Sequence, residues 1–93
     1  MAYIISHFWP GATEEQYWEE FHAVHPEGGA PKGQTYHAAG NTEGGVLVVA
    51  VWESRESFDQ FVADVLMPNV DKPGGLEGKP EERTAETFNI VTQ

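Results

Sequence analysis

The chain contains no cysteine, and only five Lys and Arg stand among its 93 residues. Without cysteine there is no disulfide framework, no thiolate metal site and no thiol nucleophile. Fifteen acids against five bases leave a net charge of −10. Binding to nucleic acid or to an anionic membrane needs clustered cations to replace counterions, so both are excluded as expected partners. The acidity reads instead as a solubility device. No apolar run approaches the roughly 18 residues of a membrane span, and no basic segment leads into a signal-type apolar stretch. The expected location is therefore the cytoplasm. None of the paired glycines, Gly28-Gly29, Gly44-Gly45 and Gly74-Gly75, follows a strand in a nucleotide-cradling pattern.

Present instead are aromatic residues and short apolar segments whose period changes along the chain. A length of 93 residues is that of one domain. A chain so short buries only about 60–65 % of its unfolded surface, so a partner subunit would help its thin core. Ala2 to Trp9 reads as a first strand, apolar on both faces. Thr13-Glu14-Glu15-Gln16 fits a capping box, opening a helix with Tyr17, Trp18, Phe21, Val24 and His25 on one stripe. Pro26, Gly28, Gly29 and Pro31 end it.

Gln34 to Gly40 is the second expected strand, Asn41 to Gly45 a turn, and Val46 to Trp52 a third strand pairing with the second. At Ser54 the period switches to helical, through Phe58, Phe61, Val62, Val65 and Leu66, until Pro68. Asn69 to Arg83 is poor in apolar residues and reads as a long loop, of the sort that serves as a lid or an interface arm. Thr84 to Val91 is the expected last strand. The order βαββαβ is the split βαβ, ferredoxin-like, α+β arrangement: a four-stranded antiparallel sheet with two helices on one face. Val46, Val48 and Ala50 alternate with Leu47, Val49 and Val51. A two-layer sandwich cannot cover both sets, which predicts a homodimer joined through the open sheet face.

Of the four histidines, His37 is the first candidate for proton transfer near neutral pH and His7 the second. If the hairpin closes with Asn41 opposite Val46, His37 faces Ala50 and shares a face with Trp52; a shift of one residue would put Tyr36 there instead. His7 shares its face with Tyr3, Ile5 and Trp9, which reads as the dimer-barrel face rather than the pocket, so core or interface packing is expected for it. His22 and His25 have ligand-like spacing after Glu19, but zinc needs three or four ligands and no further one is recognisable, so no metal is expected. Tyr17, Phe21, Tyr36, Phe61 and His25, with Trp52, could line a pocket for a flat aromatic ligand.

The hairpin together with Val51-Trp52-Glu53-Ser54, Phe58 and Phe61 resembles the dimeric α/β-barrel superfamily, which includes the antibiotic-biosynthesis monooxygenases. The resemblance implies a dimer with a small-molecule pocket between helices and sheet in each subunit. Members that degrade haem carry an Asn on the first strand, a Trp on the second helix and a His near its end. This chain has Phe61 at the helix position and no histidine after His37, so no haem and no other cofactor is expected. Cyclases of this fold place a histidine where Met67 or its neighbours stand here. Quinone-forming monooxygenases carry a Trp at a position like Trp52, with Asn and His nearby. The resemblance thus makes His37 the base of a cofactor-independent monooxygenase, with Trp52 and Asn41 holding an aromatic or polyketide-like substrate. A cyclase or isomerase using the same base, and a ligand-binding domain without catalysis, are the alternatives.

Overall fold

A computed structural model describes residues 1–25, 29–69 and 75–92. Strand β1 (Tyr3–Pro10) is followed by helix α1 (Glu14–Val24), strands β2 (Gln34–Thr42) and β3 (Gly45–Trp52), helix α2 (Arg55–Phe61) and strand β4 (Glu81–Glu86). After Phe61 the helix widens into a π-helical segment, Val62–Leu66, and closes with a short turn α3 (Met67–Asn69). The sheet order is β2-β3-β1-β4 with every neighbouring pair antiparallel, the split βαβ topology.

The caps form where the sequence placed them. Thr13 Oγ1 accepts from the Gln16 amide at 3.2 Å, and Gln16 Oε1 accepts from the Thr13 amide at 2.9 Å. Ser54 Oγ accepts from the Ser57 amide at 3.1 Å and starts α2 directly after β3. The residues expected to end α1, Pro26 and Gly28, and Lys72 to Gly74 of the long loop, lie outside the described residues.

Several boundaries differ from expectation. The hairpin turn is two residues, Glu43 and Gly44, because Asn41 and Thr42 still pair with Val46 and Gly45. Gly44 takes a φ of +86°, which a side chain would resist. The last strand begins at Glu81 rather than Thr84 and ends before the apolar residues that suggested it. Phe88, Ile90 and Val91 are exposed beyond its end. Pairing with β1 decided that segment, since Tyr3 to Phe8 offer their second edge to Glu86 through Glu81. Along α1 the buried line is Tyr17, Glu20 and Val24, so Trp18 is displaced to the rim, 43 % exposed. Its indole donates to Glu14 Oε2 at 3.1 Å.

Alternation then sorts the sheet. Tyr3, Ile5 and His7 of β1 and Val46, Val48, Ala50 and Trp52 of β3 are buried beneath the helices. Ile4, Phe8, Leu47, Val49, Val51, Tyr36 and Ala38 occupy the other face, where Leu47 is 38 % and Tyr36 60 % exposed. No helix among the described residues is long and apolar enough to cross a membrane.

Candidate functional site

Between the helices and the sheet lies a cavity of about 570 Å³, within the range of small-molecule sites. Its floor is Ile5, His7, Val48, Ala50, Trp52 and His37, and its walls come from Tyr17 and Phe21 of α1 and from Phe58 and Phe61 of α2. Val62, Leu66 and Met67 of the widened helix continue one wall, as π segments often do at functional sites. Leu76, Gly78, Lys79 and Pro80, ahead of β4, complete it on the side of the long loop.

The hairpin register puts His37 opposite Ala50, and therefore on the helix face with Trp52. Its Nε2 lies 2.7 Å from the Tyr17 hydroxyl. Burial pushes the Tyr17 phenol above its ordinary value and the His37 imidazole below its own, so both stay neutral near pH 7. His25, at the end of α1, packs against Phe21 (4.5 Å between ring centres) and stands edge-on to His37 at 5.7 Å. Burial, and then the neighbouring His37, lowers its basicity too. Both nitrogens of His25, Nδ1 of His37 and Nε1 of Trp52 are buried without a hydrogen-bond partner. Unpaired buried polar atoms are rare enough in native folds to need a reason, and a ligand site is one.

Not every residue expected at the site reaches it. Asn41 sits at the exposed hairpin end and lines a separate hollow of about 160 Å³ with Glu14, Tyr17 and Trp18. Tyr36 points to the opposite sheet face. A bulge at Thr35 reverses the parity, so Gln34, not Tyr36, joins the cavity wall. His7 settles on the helix face, beneath α2, with its ring 6.4 Å from that of Phe58. Among the lining residues not anticipated are Glu20, Gln34 and Glu82. Glu20 follows Tyr17 by three residues and precedes Val24 by four, so its place on the buried stripe was available from spacing alone. Gln34 depends on the bulge, and Glu82 on a strand start that composition obscured. No group of three or more metal-ligating side chains occurs among the described residues.

No protein-family model matches the chain, and no curated protein matches it in sequence. The crystal structure of SnoaB, a cofactor-independent oxygenase from Streptomyces nogalater, determined as a point mutant, superposes with a TM-score of 0.67. The match covers 99 % of this chain and 97 % of that one, at 12 % sequence identity. The chain shares the fold of that protein. The similarity extends over the whole sheet and both helices, and it concerns backbone architecture.

Proposed function

We propose that the protein is a homodimer that binds an aromatic or polyketide-like molecule between sheet and helices and oxidises it with O₂, without a cofactor. The observation that carries this reading is the Tyr17–His37 pair, a buried phenol on a half-buried imidazole, in an aromatic-walled cavity. A cofactor-independent oxygenase of the same fold supports it.

The reaction asks little of the protein. A phenolic substrate donates to the Tyr17 oxygen while the Tyr17 O–H donates to His37 Nε2. Transfer along this pair of hydrogen bonds leaves a phenolate, an intact Tyr17 and an imidazolium. The two charges arise together, which offsets the burial that disfavours either alone. The electron-rich phenolate passes an electron to O₂, and the resulting radicals combine at the para carbon. Loss of water from that hydroperoxide gives the quinone, so one phenol and one O₂ yield one quinone and one water. Trp52, on the cavity floor, packs against the substrate ring and holds it in place. Asn41, away from the cavity, takes no part.

Incubating the protein with hydroxylated polycyclic phenols under air and under argon tests the reading. Quinone should form only under air, and His37→Ala should abolish it. A product formed equally under argon would make the enzyme a cyclase or isomerase using the same base. Native mass spectrometry of freshly purified protein should show a dimer, with any retained ligand adding mass per subunit.

A further inference from the structure

The oxygenase reading leaves a second polar pair in the cavity unused. His7 and Glu82 are direct cross-strand partners of β1 and β4, and His7 Nε2 lies 2.7 Å from Glu82 Oε2. Both residues line the cavity. His7 is 8 % exposed, whereas the Glu82 side chain is 51 % exposed beside Lys79 and Pro80 at the cavity rim.

An ionised carboxylate only accepts hydrogen bonds, so the contact places a proton on Nε2 of His7. In the neutral ring Nδ1 is then the basic atom. Oriented imidazoles of this kind, held by a carboxylate that also stabilises the charged form, are how proton acceptors are built in active sites. Glu82 occupies Nε2 of His7, and no hydrogen bond among the described residues engages its Nδ1. The ring lines the cavity together with its carboxylate partner.

The register fixes how far the two polar sites stand apart. His37 aligns with Ala50 and Ile5 across the sheet, and His7 lies two residues further along β1. Two strand spacings across and two residues along separate their backbone positions by roughly 12 Å. Hydrogen bonds span only about 2.8 Å, so the two sites meet different atoms of one ligand.

We propose that His7 and Glu82 form a second proton-transfer site, His7 Nδ1 exchanging a proton with the end of the ligand remote from Tyr17 and His37. The cavity therefore selects an elongated molecule carrying a hydroxyl or a similar exchangeable group at each end. The step is balanced within the pair: a ligand O–H gives its proton to Nδ1, the imidazolium forms beside the Glu82 carboxylate, and the proton returns on release. This inference rests on the reading that the cavity holds a ligand, and its test separates the two.

The probes are 2,6-dihydroxynaphthalene, with hydroxyls at both ends of two fused rings, and 2-naphthol, with one. Fluorescence titration should show the diol bound about tenfold more tightly by the unmodified protein, the worth of one charge-assisted hydrogen bond. Glu82→Gln and His7→Phe should each bring the ratio to about one. Imidazole nitrogen NMR of the unmodified protein adds a readout that a purely structural pair would not move: the His7 resonances should shift with the diol and not with 2-naphthol. Equal affinity for the two probes, or His7 resonances indifferent to the diol, would overturn the second site and leave the cavity reading standing. Failure of both probes to bind would overturn both.

Discussion

At the scale of single residues, the cavity is defined by imidazoles that burial keeps neutral. His25 and His37 both have basicities lowered below the ordinary imidazole value of 6.5. In the unfolded chain they regain it, so on acidification the unfolded state takes up protons first. Their contribution to stability is complete above pH 6.5 and is lost as pH falls toward the lowered folded-state values. Thermal melting followed between pH 7.5 and 5 should therefore show a falling Tm, with a shallower slope in His25→Phe. Trp52 illustrates the other residue-scale force. It is 1 % exposed, and its ring lies 5.7 Å from Phe58 and 5.0 Å from Phe61. Trp52→Ala should cost about 4 kcal/mol, read as a lowered urea midpoint. Trp52→Phe should cost much less, because it keeps most of the apolar volume and removes an indole N–H that has no partner.

At the scale of elements, termini and turns carry the specification. Thr13→Ala removes one half of a two-way cap and should cost about 1 kcal/mol, visible in the same unfolding curves. Gly45 is held by a different constraint: a Cβ there would stand 2.0 Å from the Trp9 carbonyl oxygen, where β1 and β3 close together. Gly45→Ala must push the end of β1 aside and should destabilise by about 2 kcal/mol or more, well beyond helix-cap effects. Register follows from the same pairing. Asn41 opposite Val46 carries His37 to the helix face, and the bulge at Thr35 returns Gln34 to it. The Thr35 hydroxyl donates to the Val51 carbonyl at 3.2 Å, anchoring the irregularity.

At the scale of the whole molecule, one sheet face is covered by helices and the other, among the described residues, is not. The uncovered face carries Ile4, Phe8, Leu47, Val49 and Val51 in adjoining rows, with Tyr36 at its edge. Water contact over such a patch is costly, and burying it against a second copy is the route a small domain has to a larger core. Sedimentation should give twice the 10.3 kDa chain mass at micromolar concentration. Val49→Asp, which would bury a charge in the middle of the proposed contact, should yield monomers. The net charge of −10 opposes association at low ionic strength, so added salt should strengthen the dimer.

Order of elements and cap positions were legible in the chain because they depend on neighbours within a few residues, whereas the hairpin register was legible only as one of two alternatives. Thr13 with Gln16, Ser54 after Trp52, and the alternation from Val46 to Trp52 each carry their own local cause. Tertiary structure alone decided the rest. Glu81 to Glu86 has no apolar pattern of its own and becomes a strand because β1 presents an unpaired edge. Trp18 is as apolar as Tyr17 and Phe21, yet it falls to the rim because one helical step of about 100° is enough to leave the buried stripe. The meeting of His7 with Glu82, 75 residues apart, follows from that same strand pairing, and no local pattern could announce it.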